Sequence, residues 1–594
     1  MNRVWIVIYF AIAISVLILI RVFTLSIGKN EYYEKLSDNN YLKREYTAPP
    51  RGAITDRNGE YLAINNIGFR ITVKPHLRSP DTIDDLHNIF KMIEKYFPQY
   101  SFKDLEKKYE KEDGIYNHED IVLVEHIPYD DFFKYYPIFN SNDYIEIKPS
   151  TSRFYPYGSI GAHFLGYTGR VSIPDIDKDE NQKHFESIGK SGIEKYYNHW
   201  LQGTLGVKTI KVNSVYKIVG VASDTPPLAH DIQTTVDIRL QQYIHEQFGD
   251  QAGAVIVMDV QNGEILAGGS FPEFDNNIFV NGVSHENWQK IMNDFNHPFP
   301  NKMVNGKYPP GSVIKMGTAL SLLENGVSPD TTVYCTGSMP LGNRNFRCWK
   351  SEGHGEVNFV KAIRESCDDF FYKGSLKIGV DAIHDTLAKF EFGELTGIDQ
   401  PNESKGVNPN KLWKQTTYKQ PWYQGETVVS SIGQGFLNVT PIQVARYTAA
   451  LATGKLVTPH FLKNKKDLTE KPIAISGGYL AIARQGMYEV TNGGGGTATG
   501  SVAHSKITIA GKTGTAQVVG IPQSEKKRMQ EHEMEYYQRS HAWLTTYGPY
   551  KNPKYSVTIL VEHGGHGASA AGDITANIYN KMLELGYFDQ NSTK

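Results

Sequence analysis

The chain begins with an uncharged apolar segment. Residues 4–20 carry no charge and contain one polar side chain, that of Ser15, and Arg21 closes the run. A helix needs about 17–25 such residues to cross a bilayer, so the segment is long enough to span one. A cleaved signal peptide would have an apolar region of only about 7–15 residues followed by small residues, whereas this run ends in Leu-Ile-Leu-Ile. We therefore predict an uncleaved membrane anchor over residues 1–27.

Beyond the anchor, the spacing of apolar residues alternates between helical and strand patterns. Residues 48–62 are typical of a strand, an Asn-Gly turn and a second strand. Apolar residues at helical spacing, such as Leu86 and Ile89, predict helices over residues 80–140. Two apolar segments on either side of the Asn-Gly turn at residues 261–264 predict a hairpin of a central antiparallel sheet.

The character of the sequence changes near residue 230, where we place a domain boundary. We predict a first folded domain over residues 28–230, with the helical insertion near 80–140, and an α/β domain over residues 231–594. At roughly 100–200 residues per domain, a length of 594 residues agrees with more than one domain. The charge is balanced, with 62 Lys and Arg against 64 Asp and Glu, so no nucleic-acid-binding function is indicated.

One segment has the pattern of an activated serine. Serine acyl transferases need a hydroxyl, a neighbouring base and donors for an oxyanion, and a Ser-x-x-Lys pair on a helix brings the first two together. Ser312-Val313-Ile314-Lys315 follows Pro-Pro-Gly and opens an apolar helix, where the helix dipole favours anionic character at the serine. A lone serine here would more often be a simple helix cap. Four other segments match by chance; they begin at Ser26, Ser187, Ser214 and Ser524.

Two further triplets follow in the same domain. Ser366-Cys367-Asp368 precedes the start of an aromatic helix, and Lys512-Thr513-Gly514-Thr515 ends an apolar strand. Each triplet is weak evidence alone. The order Ser-x-x-Lys, Ser-x-Asn, Lys-Thr-Gly is typical of penicillin-binding proteins and β-lactamases, and the second motif here has Asp in place of Asn.

The sequence resembles the class B penicillin-binding proteins over nearly its whole length. The resemblance includes the opening motif at 51–59, the motifs at 153–156 and 189–197, and the Ser-Ile-Gly-Gln-Gly segment at 431–435. The Ser-Cys-Asp form of the second motif also occurs in the branch that serves cell elongation. The resemblance implies the penicillin-binding transpeptidase fold, α/β with a central antiparallel sheet flanked by helices, on an elongated N-terminal pedestal domain with one transmembrane helix.

The resemblance also implies a D,D-transpeptidase that cross-links peptidoglycan stem peptides through a serine acyl-enzyme and that β-lactams inhibit. A Lys-Thr pair suits the terminal carboxylate of the substrate because it supplies a cation and a hydroxyl donor together. The implied roles are: Ser312 as nucleophile, Lys315 as general base, Ser366 as proton relay, Asp368 as holder of the substrate amide or of Lys315, Lys512 and Thr513 as carboxylate ligands beside Gly514, and the backbone N–H groups of Ser312 and Thr515 as oxyanion hole.

The substrate lies outside the cytoplasm, which implies a single-pass protein of the inner membrane with its N-terminus in the cytoplasm and its bulk in the periplasm. The implied partners are a polymerising glycosyltransferase and a rod-shape complex in the membrane. Three rival functions are a β-lactamase, a β-lactam sensor, and a scaffold that activates a glycosyltransferase. The sequence has no Glu-x-x-Leu-Asn segment of the β-lactamase kind, and its intact motifs argue against a scaffold alone.

All three cysteines lie close together in the sequence with one histidine, as Cys335-x12-Cys348-x5-His354-x12-Cys367. Three thiolates and an imidazole form a complete tetrahedral ligand set for structural zinc. The loop between the first cysteine and Gly355 has little apolar content, and metal binding can supply the free energy that orders it. The alternative is a Cys335–Cys348 disulfide, natural in an oxidising compartment. We predict zinc, because the disulfide leaves the third cysteine unexplained.

Overall fold

The computed structural model describes residues 2–28, 41–212, 218–280, 282–520 and 530–589. Two of the chance Ser-x-x-Lys segments, those at Ser214 and Ser524, begin outside the described residues.

The strands of the described chain are short to medium in length, as is usual for a mixed α/β protein. They are β1 (Leu42–Thr47), β2 (Ile54–Thr55), β3 (Tyr61–Val73), β4 (Ile121–Pro128), β5 (Ile145–Phe154), β6 (Thr168–Arg170), β7 (Ser187–Gly189), β8 (Gly206–Val212), β9 (Ile218–Thr225), β10 (Ile232–Gln233), β11 (Gly253–Asp259), β12 (Ile265–Phe271), β13 (Val333–Cys335), β14 (Ser338–Leu341), β15 (Arg344–Arg347), β16 (Gly355–Val357), β17 (Lys455–Val457), β18 (Glu470–Pro472), β19 (Ala510–Ala516), β20 (His541–Gly548) and β21 (Tyr555–Val561).

The α-helices range from single turns to long segments. They are α1 (Asn2–Phe23), α2 (Ile83–Tyr96), α3 (Phe102–Glu112), α4 (Tyr129–Phe133), α5 (Tyr136–Asn140), α6 (Ala162–Leu165), α7 (Ile173–Lys178), α8 (Gly192–Tyr196), α9 (Asn198–Gln202), α10 (Ile238–Phe248), α11 (Asn277–Val280), α12 (His285–Met292), α13 (Lys315–Glu324), α14 (Phe359–Arg364), α15 (Asp368–Ala388), α16 (Lys411–Tyr418), α17 (Gln424–Ser430), α18 (Pro441–Thr453), α19 (Gly477–Asn492) and α20 (Gly567–Glu584).

The N-terminal helix is an exposed apolar helix. The segment Arg3–Ile27 has a mean hydropathy of 2.8 over its most apolar window, and none of that window is buried against other parts of the protein. Its length and composition are sufficient to cross a bilayer. The helix therefore agrees with the predicted single-pass anchor.

The chain divides into two compact units. The first contains Met1–Gly52, Val171–Glu186 and His199–His230. Its sheet has the strand order β1-β8-β9, with antiparallel pairing throughout. The second unit contains Ala53–Arg170, Ser187–Asn198 and Asp231–Lys594. The domain boundary that we placed near residue 230 stays a prediction.

The region 80–140 of the second unit is partly helical, as the apolar spacing predicts. Helices α2 to α5 lie in it, and the buried side chains of Leu86 and Ile89 belong to their common core. The region also contains strand β4, which the helical prediction did not include. β4 is Ile-Val-Leu-Val-Glu-His-Ile-Pro, and its β-branched residues favour a strand that pairs with β3.

The core of the second unit is a five-stranded antiparallel sheet with the order β12-β11-β21-β20-β19. Almost every residue of these strands is buried, because helices cover the sheet: α10 and α20 pack on each other and on the sheet, and α18 packs against β11, β20 and β21. The predicted hairpin around residues 261–264 is β11 and β12. The predicted α/β architecture with a central antiparallel sheet flanked by helices is confirmed.

Candidate active site

The nucleophile candidate lies on a tight turn that leads into α13. A single 3₁₀ turn, Gly311–Ile314, holds Ser312, and the α-helix begins only at Lys315. Ser312 therefore lies in the first turn of an apolar helix, as predicted, and that turn is 3₁₀ rather than α-helical. The turn begins at Gly311, whose φ of +54° is open to glycine and whose Cβ, if present, would lie 2.8 Å from the Thr515 carbonyl oxygen.

The turn is held between two other segments. The Gly311 N–H donates to the Gly433 carbonyl at 2.9 Å. On the other side, an added Cβ at Gly514 would be 3.0 Å from a Val313 methyl carbon, so β19 passes close to the turn. The Gln434 amide donates to the Thr515 carbonyl at 3.3 Å and joins the two flanking segments. Ser312 is half-buried between these segments, which can approach it closely because glycines stand at the points of contact.

Lys315 joins the first motif to the second. Its ammonium is fully buried and donates to Asp368 Oδ1 at 2.6 Å, to Ser366 Oγ at 3.1 Å and to the Ser366 carbonyl at 2.8 Å. It also lies 5.5 Å from the centre of the Phe371 ring. Burial raises the pKa of Asp368, and the ammonium of Lys315 counteracts that shift. A buried charge without partners would be costly, so these contacts fix the lysine in one position.

Ser366 has an unusual backbone conformation. Its φ is +54°, in the left-handed region that a non-glycine residue seldom adopts. The amide of Ser366 donates to the Ile363 carbonyl at 3.2 Å, and that of Cys367 donates to the Ala362 carbonyl at 2.9 Å. Such strain persists where the surrounding structure requires it, often at a functional site, and here it turns the hydroxyl toward Lys315.

The third motif lies on the edge strand β19. Lys512 is fully buried, and its ammonium donates to the Thr513 carbonyl at 3.0 Å. Burial, together with the nearby Lys315, lowers the pKa of Lys512 well below that of an ordinary lysine. The Thr513 hydroxyl lies 2.7 Å from that of Thr497. All three motifs of the sequence prediction therefore come from separate elements of one unit and enclose one site.

Sequence reasoning missed two residues at this site. The Trp349 backbone N–H donates to Asp368 Oδ2, and its indole N–H donates to the Glu365 carbonyl, both at 2.9 Å. Thr497 follows four consecutive glycines and reaches Thr513. The glycine run between a helix and the Lys-Thr-Gly strand was a signal for a tight loop at the site, whereas nothing in the sequence distinguished Trp349.

The four predicted metal ligands lie together. Cys335, Cys348, His354 and Cys367 are all buried, and their ligand atoms lie within 4.8 Å of one another. The three cysteines are free thiols, so the alternative disulfide is not formed in this structure. His354 Nδ1 lies 3.6 Å from the first sulfur and 3.5 Å from the second. The cluster is a site that could bind a metal ion.

Comparison with known proteins agrees with this geometry. The chain matches the penicillin binding protein transpeptidase domain over residues 253–584 and the penicillin-binding protein dimerisation domain over residues 46–232. It is 33% identical over 587 residues to peptidoglycan D,D-transpeptidase MrdA of Haemophilus influenzae, which covers 95% of this chain and 88% of that protein.

Two solved structures are also similar. The complex between a penicillin-binding protein (PBP2) and MreC from Helicobacter pylori has a chain that is 42% identical, with a TM-score of 0.83, covering 92% of this chain and all of that one. A structure of a peptidoglycan synthase complex, which coordinates polymerization and crosslinking, contains a chain that is 26% identical, with a TM-score of 0.70. The match covers 99% of this chain and 99% of that one.

These findings confirm the predicted resemblance, the fold class and the enzymatic function. The transpeptidase match covers more than half of the chain, and it contains all three motifs that meet around Lys315. The chain belongs to the class B penicillin-binding proteins of the penicillin-binding protein 2 type, the serine peptidoglycan D,D-transpeptidases.

Proposed function

We propose that Ser312 is the nucleophile of this transpeptidase and that Lys315 is its general base. The observation that carries the proposal is the position of the Lys315 ammonium, one turn after Ser312 and bonded to both Ser366 and Asp368. In its neutral form Lys315 takes the hydroxyl proton as Ser312 attacks the carbonyl between the two terminal D-alanines. The C–N bond then breaks, and a proton passes through Ser366 to the departing amine of D-alanine.

The second half of the reaction uses the same groups in reverse. The amine of an acceptor stem peptide attacks the acyl-enzyme, and its proton returns through Ser366 and Lys315 as the ester bond to Ser312 breaks. The backbone N–H groups of Ser312 and Thr515 stabilise the oxyanion in both steps. The close approach of β19 to the turn of Ser312 supports this pairing, because Gly514 leaves no room for a side chain between them.

The terminal carboxylate of the donor stem peptide binds at Lys512 and Thr513 in this proposal. Lys512 supplies the cation and Thr513 a hydroxyl donor, a combination that gives charge-assisted hydrogen bonds. Asp368 orders Lys315 rather than the substrate, because one of its oxygens accepts from Lys315 and the other from the Trp349 backbone.

The test is covalent labelling of the full chain in detergent. Incubation with benzylpenicillin should add the mass of one penicilloyl group to the parent protein and none to Ser312→Ala. A folded Ser312→Ala protein that still acquires the label would show that another residue is the nucleophile. Circular dichroism and a melting curve for the variant check that the loss is chemical.

We also propose that the cluster of three cysteines and His354 holds a structural zinc ion. Zinc bound by a thiolate at about 2.3 Å and by an imidazole at about 2.0–2.1 Å in a tetrahedron places sulfur and nitrogen about 3.6 Å apart. The two sulfur–nitrogen distances of 3.6 and 3.5 Å agree with this value. Such an ion would order the segment that carries Trp349 and Ser366. Metal analysis of protein purified without added zinc should give about one zinc per chain.

The location and partners follow the same relatives. We propose that α1 anchors the chain in the inner membrane, with the N-terminus in the cytoplasm and the bulk of the chain after the anchor in the periplasm, where the substrate lies. We propose that it works with a rod-shape protein of the MreC kind and with a polymerising glycosyltransferase. The two similar structures, a complex with MreC and a peptidoglycan synthase complex, support these partners.

A further inference from the structure

A glycine-rich loop brings one more hydroxyl group to the active site. The loop Gly493–Gly496 leads from the end of α19 to Thr497, ahead of β19. A Cβ at Gly496 would lie 2.2 Å from the Glu489 carbonyl oxygen, and Gly495 has a φ of +81°. The loop can therefore fold back onto the helix end only with glycine at these positions. That fold fixes the place of Thr497.

Thr497 bonds both to the segment just before the second motif and to the third motif. Its backbone N–H donates to the Arg364 carbonyl at 3.3 Å, two residues before Ser366. Its hydroxyl lies 2.7 Å from the Thr513 hydroxyl, and among the described residues that hydroxyl is its hydrogen-bond partner. Thr497 is half-buried and Thr513 is buried, so the pair forms part of the wall of the site.

A carboxylate determines the direction of this hydrogen bond. Each hydroxyl has one proton to donate, and a carboxylate only accepts. When Thr513 donates its proton to a carboxylate, its oxygen can still accept, and Thr497 is the hydroxyl placed to donate to it. A chain of hydrogen bonds in one direction polarises its members and strengthens the last bond.

We propose that Thr497 is a positioning residue for substrate recognition: it donates to Thr513 and so directs the Thr513 hydroxyl toward the terminal carboxylate of the donor stem peptide or of a β-lactam. The inference rests on the proposed function, in which Thr513 binds that carboxylate. In this inference, the Thr497–Thr513 pair makes the site prefer ligands with a free carboxylate over ligands whose carboxylate is esterified.

The same loop offers a matched structural hydroxyl. The Thr499 hydroxyl donates to the Gly493 carbonyl at 2.8 Å and to the Val490 carbonyl at 3.4 Å, so it closes the loop on itself. A purely structural role for Thr497 would make its loss resemble the loss of Thr499. Comparison of variants of the two threonines therefore distinguishes a role in recognition from a role in supporting the loop.

The experiment compares acylation of the full chain in detergent by benzylpenicillin and by its methyl ester, followed by intact mass. Thr497→Val should lower the second-order rate constant for the acid about tenfold, because a bond to a charged group weakens, and should change that for the ester less than about twofold. Thr497→Ser should restore most of the acid rate. Thr499→Val should lower the melting temperature and leave the acid-to-ester ratio unchanged.

Three results would overturn the inference. They are an acid rate in Thr497→Val equal to that of the parent, an equal loss with acid and ester, and failure of Thr497→Ser to recover the acid rate. The Ser312→Ala protein in the same assay should label with neither compound. Labelling of that variant would refute the proposed nucleophile, whereas an unchanged acid-to-ester ratio in Thr497→Val would refute the role of Thr497 alone.

Discussion

At the scale of single residues, the site combines two buried lysines with different surroundings. Lys315 has Asp368 as a counter-ion at 2.6 Å, whereas Lys512 donates to a neutral carbonyl and has its pKa lowered by burial and by Lys315. In the proposed mechanism, the first lysine transfers protons. The second keeps its positive charge only at lower pH than an ordinary lysine, unless an anion binds beside it.

This difference predicts the alkaline pH dependence of acylation. Since the pKa of Lys512 is lowered, its charge is lost as pH rises toward a value below the ordinary lysine pKa of about 10.4. The rate constant for benzylpenicillin should therefore fall on that alkaline side, and the constant for its methyl ester should lack this fall. Intact mass spectra of samples quenched at fixed times, over a range of pH, measure both rate constants. An identical alkaline decline for the two compounds would assign it to another group.

At the scale of elements, the cysteine cluster adjoins the second motif. Cys367 lies between Ser366 and Asp368, and Cys348 precedes Trp349, whose backbone donates to Asp368. The Cys348 backbone N–H also donates to the Gly337 carbonyl. This bond joins the residue after β15 to the residue before β14. One cysteine of the cluster is therefore the sequence neighbour of Asp368, and another is the neighbour of a residue that bonds to Asp368.

We predict that His354→Ala, or removal of metal by a strong chelator, lowers both the melting temperature and the acylation rate. The rate should fall between about tenfold and a hundredfold, since a displacement of about 1 Å near the reacting groups has effects of that size. His384→Ala is the matched control, because that histidine lies on α15 and bonds to the Asn408 carbonyl away from the cluster. Equal behaviour of the two variants would contradict a supporting role for the cluster.

The sequence indicated the motif residues and the cysteine cluster, but it did not indicate the tertiary contacts that surround them. The order of the three motifs and the spacing of the cysteines were visible, because both depend on residue types at fixed separations. The 3₁₀ form of the turn at Ser312 was not visible, since Gly311 bonds to the Gly433 carbonyl and lies close to Thr515, both far away in sequence. For the same reason, the Thr497–Thr513 contact and strand β4 required the tertiary structure.

At the scale of the whole molecule, a transpeptidase and a β-lactamase differ in the lifetime of their acyl-enzyme with a β-lactam. Within the described residues, both oxygens of the Asp368 carboxylate accept hydrogen bonds that hold the carboxylate in place, one from Lys315 and the other from the Trp349 backbone. We predict that the penicilloyl adduct persists and that a chromogenic cephalosporin is consumed to about one equivalent per chain. Continuous turnover that Ser312→Ala abolishes would favour the β-lactamase alternative.

The three motifs also have a practical consequence for work with the protein. Ser312, Ser366 and Lys512 belong to a turn, a strained loop and an edge strand. The bond from Lys315 to Ser366 and the close approach of β19 to the Ser312 turn bring them together only when α13, α15 and β19 have all assembled. A denatured or half-assembled chain has no such constellation and cannot be acylated at a useful rate. Titration with a fluorescent penicillin therefore counts native molecules, and the labelled fraction of a preparation measures how much of the protein has survived extraction from the membrane.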